Sequence, residues 1–170
     1  KIVEEANRDG IETLEGFFNQ SLAEKILVSK GPASIITANN VFAHADDLEG
    51  IIQGVRSLLA PDGIFIFEVS YLADVIEKTL FDTIYHEHLS YHSVGPLQRF
   101  FAHNGMNMFG AYRVDTHGGS IRGVCQLADG PYSDDGTVSE LMTLEQIHAL
   151  NRVETFNKFA CGIEVLKYEL

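Results

Sequence analysis

Two short apolar runs constrain the fold most: residues 33–38 (ASIITA) and 64–69 (IFIFEV), separated by a stretch whose apolar residues follow another period. Short runs of this kind, bounded by turn formers, suit strands covered on both faces of a parallel sheet. Between them Leu48, Ile51, Ile52, Val55, Leu58 and Leu59 recur at helical spacing, with Asp46 and Glu49 placed for the helix start and Ala60-Pro61-Asp62-Gly63 as the closing turn. Upstream, residues 1–9 predict a helix ended by Asp9-Gly10, residues 11–14 a short strand, and Ser21 with Glu24 the capping box of a second helix stopped by Gly31-Pro32. Helices and strands alternating through short turns indicate a parallel sheet wrapped by helices.

The alternation stops further on. Ser93 is placed to cap a helix carrying Leu97, Phe100 and Phe101 and closed by Asn104-Gly105. Residues 106–114 and 120–127 predict two strands joined by a short loop, hence an antiparallel hairpin at the sheet edge. Residues 130–136 (GPYSDDG) read as a boundary, dividing an α/β unit over 1–129 from a loop and helical extension over 130–170. Beyond Thr137 the apolar positions Leu141, Leu144, Ile147, Val153, Phe156, Ile163 and Leu166 predict one long helix or two.

Ligands of open α/β sheets bind beyond the carboxyl ends of the parallel strands, where loops and helix N-termini collect. That rule gathers three polar groups onto one rim: Asn39, Asn40 and His44; Ser70, Tyr71 and the run Tyr85-His86-Glu87-His88; and His117-Gly118-Gly119. Residues 81–92 (FDTIYHEHLSYH) are the densest, with three imidazoles, two phenols and the Glu87 carboxylate. Imidazole titrates near neutrality, and phenols and carboxylates are its usual partners in proton transfer. Simpler readings stand beside this one: strand-end asparagines, a hairpin turn, surface histidines, or a metal held by His86, His88 and His92.

Composition narrows the function classes. A formal charge of −12, with no cluster of Lys or Arg, argues against a nucleic-acid groove and against an anionic membrane surface. No apolar run approaches the roughly 20 residues of a membrane span. The two cysteines, Cys125 and Cys161, lack CxxC spacing and are expected to be reduced and buried, as in a cytoplasmic protein.

Three segments in order, NNVFAHADDLEGIIQGVRSLLAPDGIFIFEVSYL, FDTIYHEHLSYHS and THGGSIR, resemble the S-adenosylmethionine-dependent sugar C-methyltransferases, which methylate the carbon beside the ketone of a nucleotide-linked 4-keto-deoxysugar. The resemblance runs from about Gly10 to Leu127. It implies a class I methyltransferase (Rossmann-like) fold of strand order 3-2-1-4-5-7-6, mostly parallel with a terminal antiparallel hairpin. It also implies that this chain lacks the first two strands with their Gly-rich loop and ribose-binding acid, and that zinc belongs only to an N-terminal domain absent from this sequence. Residues 11–14 would then take position 3, two strands away from residues 33–38. Neighbouring strands pair at about 4.8 Å, so those strands come from elsewhere or the arrangement differs.

The resemblance further implies S-adenosylmethionine as cofactor, with Phe17, Phe18 and Asn39 near it; no metal is expected at the reacting centre, because no second His, Asp or Glu constellation of ligand spacing accompanies the three histidines. Asn40, Tyr71, His117 and Gly118 would hold a small, nucleotide-sugar-like substrate. His88 is the candidate base; Glu87 would orient or polarise the site, and Tyr85 and His44 would donate to a developing oxyanion or hold the sugar. Two other functions remain open: a non-catalytic binding module, and a metal-dependent enzyme built on the three histidines.

Overall fold

The computed structural model describes residues 1–169, and its helices and strands follow the sequence periods with a few instructive departures. Helix α1 (Ile2–Arg8) ends at Asp9-Gly10, and α2 (Gln20–Lys30) is capped by Asn19, whose Oδ1 accepts the Leu22 N–H at 3.0 Å; Ser21 lies inside the first turn. The strand expected at residues 11–14 does not form. A strand persists only on ladder bonds to a neighbour, and here the backbone is claimed otherwise. Asn7 accepts the Thr13 N–H at 2.9 Å and donates to the Thr13 carbonyl at 3.0 Å, leaving Ile11 and Leu14 exposed.

Strand β1 (Ala33–Asn39) leads into α3 (Leu48–Leu58), capped by Asp47 through the Gly50 N–H at 2.9 Å and not by Asp46. Gly54 lets α2 and α3 approach, since a Cβ there would stand 2.9 Å from the Asn19 backbone. Strand β2 (Leu59–Ser70) starts where α3 stops, so the expected turn at residues 60–63 is an irregularity in its pairing with β1. Helices α4 (Leu72–Glu77) and α5 (Val94–His103) flank the histidine-rich segment. Strands β3 (Met106–Val114) and β4 (Ser120–Leu127) form the hairpin, and α6 (Thr137–Ile147) and α7 (Val153–Glu169) follow as two helices.

The sheet runs β1-β2-β4-β3, with β1 parallel to β2 and β4 antiparallel to both β2 and β3. This is the 4-5-7-6 portion of the expected order, and β1, β2 and β3 all point their carboxyl ends at one rim. On β2, Phe65, Phe67 and Val69 face a core with Phe42, Ile52 and Val55 on one side and Leu97 and Phe101 of α5 on the other. Phe42 stacks on Phe67 at 5.3 Å and Phe67 on Phe101 at 5.2 Å. Burying each such ring contributes about 1.5–3 kcal/mol, and the cluster fastens the turn after β1 to the sheet.

The opposite face is less covered. Ile64 and Ile66 of β2 and Val124 of β4 are only half-buried, and Ile35 of β1 is 61% exposed. The strand expected to be covered on both faces is therefore an edge strand, paired only with β2 among the described residues. Helix α6 packs on β3 and α5. Cys125 is buried as expected, and burial pushes its thiol well up, whereas Cys161 is exposed on α7. No helix among the described residues is long and apolar enough to cross a membrane.

Candidate active site

Each rim element is held by its own anchor. After β1, Asn40 turns the chain at φ +53 while its N–H still reaches the Glu68 carbonyl at 2.8 Å. Buried Phe42 then fixes the short 3-10 turn Phe42–His44, which presents His44 outward. The segment carrying Tyr85 and His88 is strapped to that turn twice: Leu89 N–H donates to the Ala43 carbonyl at 2.7 Å, and His44 Nδ1 donates to the Glu87 carbonyl at 2.9 Å.

The hairpin turn is seated on α4. Burial alone would raise the Asp74 carboxyl, but bonds from Arg113 (3.0 and 2.8 Å) and Lys78 (2.7 Å) outweigh it and hold that pKa below its ordinary value. Lys78 also donates to the Gly118 carbonyl at 2.7 Å. Gly119, at φ +145, lies so close that a Cβ would sit 2.2 Å from Asp74 Cγ, so only glycine fits here. With the turn fixed this way, His117 at φ +51 faces the rim.

His88 has defined partners on both nitrogens. A carbonyl can only accept, so Nδ1 at 2.8 Å from the Thr83 oxygen carries the proton, and Nε2 receives the Tyr85 hydroxyl at 3.3 Å. Tyr85 and His44 lie against the imidazole, with ring centroids at 4.4 and 4.9 Å. A cleft of about 370 Å³ is lined by Asn40, His44, Ser70, Asp82, Thr83, Tyr85, His88 and His117. Beside it a second cleft of about 660 Å³, mainly apolar, lies among Phe17, Phe18, Val41 and Ile51. Asn40 and His44 line both.

Most of the candidate residues thus meet, and some do not. Tyr71, expected at the substrate, is 0% exposed; its hydroxyl donates to Glu145 at 3.1 Å inside the core, and burial pushes its pKa well up. Glu87 contributes its carbonyl to His44, while its carboxylate lies out beside His86 at 4.0 Å. Asn39 is exposed at the end of β1, and Gly118 offers its carbonyl to Lys78; neither lines the clefts. The three imidazoles proposed as metal ligands do not converge: His86 is solvent-facing, His88 is engaged as above, and His92 is buried against Ser90 at 3.0 Å. No group of three or more His, Cys, Asp or Glu among the described residues is arranged to hold a metal.

Sequence reasoning missed Asp82 and Thr83 as cleft residues, and it missed the clamp behind the rim. Bonds from the Thr116 hydroxyl (2.7 Å) and from Arg122 (3.1 and 2.7 Å) hold the Glu68 carboxyl below its ordinary range despite burial. The lone acid near the end of an otherwise apolar strand was the available signal.

Burial lowers the His92 pKa, and a bond to the Phe42 backbone only partly opposes it. Its folded pKa lies below the unfolded value of about 6.5, so on acidification the unfolded chain takes up the proton first and stability falls below about pH 6.5. Denaturation midpoints are expected to drop between about pH 7 and pH 5.5, with a shallower drop in His92→Gln. Identical slopes in the two proteins would remove His92 as the source.

The methyltransferase domain model matches residues 5–109. The C-methyltransferase NovU of Streptomyces niveus is 33% identical over 165 residues, 97% of this chain and 39% of that protein. The chain therefore spans well under half the length of that relative. In fold it is similar to a SAM-dependent methyltransferase from Anabaena variabilis, with TM-score 0.51 and 14% identity over 68% of this chain and 57% of that one. An O-methyltransferase family protein from Burkholderia thailandensis gives TM-score 0.50 and 14% identity over 76% and 40%. Those two likenesses support the fold alone, a class I methyltransferase sheet; the family follows from the model match, which covers more than half of the sequence, and the chain belongs to the methyltransferase domain family.

Proposed function

We propose that the protein containing this chain is an S-adenosylmethionine-dependent C-methyltransferase acting on the carbon beside a ketone in a nucleotide-linked deoxysugar. The observation that carries the reading is the pair of adjoining clefts, one apolar and one lined by proton-handling groups, sharing Asn40 and His44. The 33% identity to a C-methyltransferase supports the reaction type. The polar cleft has no Lys or Arg in its lining, which suits a neutral sugar ring better than a phosphate.

The apolar cleft fits an adenosyl group by its chemistry: Phe17, Phe18 and Ile51 offer the flat, apolar wall that a purine stacks on, and Asn40 and His44 the polar end. Bound there, S-adenosylmethionine would supply an electrophilic methyl carried on a thioether leaving group. The residues of this chain do the rest. A carbon beside a ketone becomes nucleophilic only after losing a proton, and His88 Nε2, which carries no hydrogen because Nδ1 is committed to Thr83, accepts it once the Tyr85 hydroxyl turns from that nitrogen toward the developing oxyanion. The resulting enolate oxygen is stabilised by a donor at the cleft, for which the Tyr85 hydroxyl is placed, while His44, its Nδ1 proton committed to the Glu87 carbonyl, offers Nε2 as an acceptor to a hydroxyl of the sugar.

The test uses the full-length protein. With a labelled methyl donor and a panel of keto-sugar nucleotides, one product is expected to gain the mass of one methyl replacing one hydrogen. In D₂O without donor, the same substrate is expected to exchange the hydrogen next to its ketone. Label on oxygen or nitrogen, with no exchange at carbon, would defeat the reading.

A further inference from the structure

We infer that Tyr91 is a positioning residue for His88, acting through the Thr83 carbonyl. The inference rests on the reading of His88 as the base and adds to it the device that holds the base in one tautomer. Two donors converge on the Thr83 oxygen: His88 Nδ1 at 2.8 Å and the Tyr91 hydroxyl at 2.9 Å. A carbonyl has two lone pairs, so both are filled, and the peptide cannot turn without breaking both bonds. Thr83 is itself pinned, its hydroxyl donating to the Leu80 carbonyl at 2.7 Å.

Tyr91 is the element that ties this oxygen to the rigid part of the molecule. Its neighbour His92 is buried, accepts the Leu72 N–H at 2.9 Å through its carbonyl, and bridges to Tyr71 at the end of the sheet. The Tyr91 ring also stands edge-on to the His88 imidazole, centroids 5.9 Å apart at 85°, which limits rotation of that ring. Burial raises the Tyr91 phenol above its ordinary range, so it stays a donor at assay pH. Which imidazole nitrogen carries the proton is set by the hydrogen bond the other makes. Here that bond is shared, and Tyr91 fixes where the shared acceptor points.

Tyr91→Phe in the full-length protein keeps the ring and removes only the hydroxyl. Nitrogen-15 spectra of the His88 ring, recorded without substrate or donor, are expected to show the Nδ1–H form in the parent and a mixture with the Nε2–H form in the variant. Turnover is expected to fall about 10- to 100-fold, with KM and donor affinity little changed. An unchanged tautomer ratio with unchanged turnover, in a preparation where His88→Asn is inactive, overturns the role of Tyr91 alone. An active His88→Asn overturns the base reading beneath it. Should Tyr91→Phe fail to fold, 3-fluorotyrosine at position 91 retains shape and donor: its stronger bond to the shared oxygen is expected to move the His88 Nδ1 proton resonance, and an unmoved resonance counts against the proposal.

Discussion

Replacing His88 by asparagine in the full-length protein is expected to lower turnover by about 10²- to 10⁴-fold, the usual contribution of a positioned base. Asparagine is the informative choice because its amide N–H can still reach the Thr83 carbonyl that Nδ1 now occupies at 2.8 Å, so the surrounding loop keeps its anchor. What disappears is the bare Nε2 beside Tyr85. The apolar cleft around Phe17, Phe18 and Ile51 does not include residue 88, so donor affinity measured by titration calorimetry is expected to stay within about twofold of the parent. Donor-free exchange in D₂O is expected to be lost together with turnover, placing the defect at proton removal. If the variant turns over near normally, His88 is not the base; if exchange persists while turnover falls, its role lies after deprotonation.

The largest expected effect on stability is at Glu145. Its buried carboxylate takes three donors from distant parts of the chain: the Tyr71 hydroxyl at 3.1 Å, the Val94 N–H, and the Gly95 N–H at 3.0 Å. The last two are the first free amides of α5, so a side chain from α6 caps a helix that Ser93, despite its position, does not. Glu145→Ala would leave a fully buried phenol and two helix-end amides unpaired, at about 3–5 kcal/mol in all. Glu145→Gln keeps one accepting oxygen but turns an NH₂ toward donors and is expected to cost roughly half as much. Denaturant midpoints measure both, and a loss below about 1 kcal/mol for the alanine variant would mean that solvent replaces the carboxylate.

How legible these features were from sequence depended on how local their causes are. The hairpin bounds at 106–114 and 120–127 match because strand periodicity and turn residues sit together in the chain. The convergence of Asn40, His44, Tyr85, His88 and His117 followed from strand direction alone, since parallel strands deliver their following loops to one rim. Residues 11–14 failed for the opposite reason: an apolar run becomes a strand only beside a neighbour, and Asn7 satisfies Thr13 first. Tyr71 looked like a rim residue because it follows a strand, but the chain enters α4 at once and turns the phenol inward toward an acid 74 residues away. Neither Glu145 nor Tyr91 carries a local mark; one is an acid in the last turn of a helix, the other the last phenol of a crowded run.

The uncovered flank of the sheet bears on how this molecule behaves in solution. Along β1 a file of amides and carbonyls points away from β2 without a strand partner among the described residues, next to the apolar strip of Ile35 and Ile64, and such a border is a template for any extended peptide that drifts near it. Phe17, at 94% exposure, adds to the apolar surface left open to solvent. An edge of that kind pairs readily with other strands, so a preparation that exposes it is expected to associate as protein concentration rises.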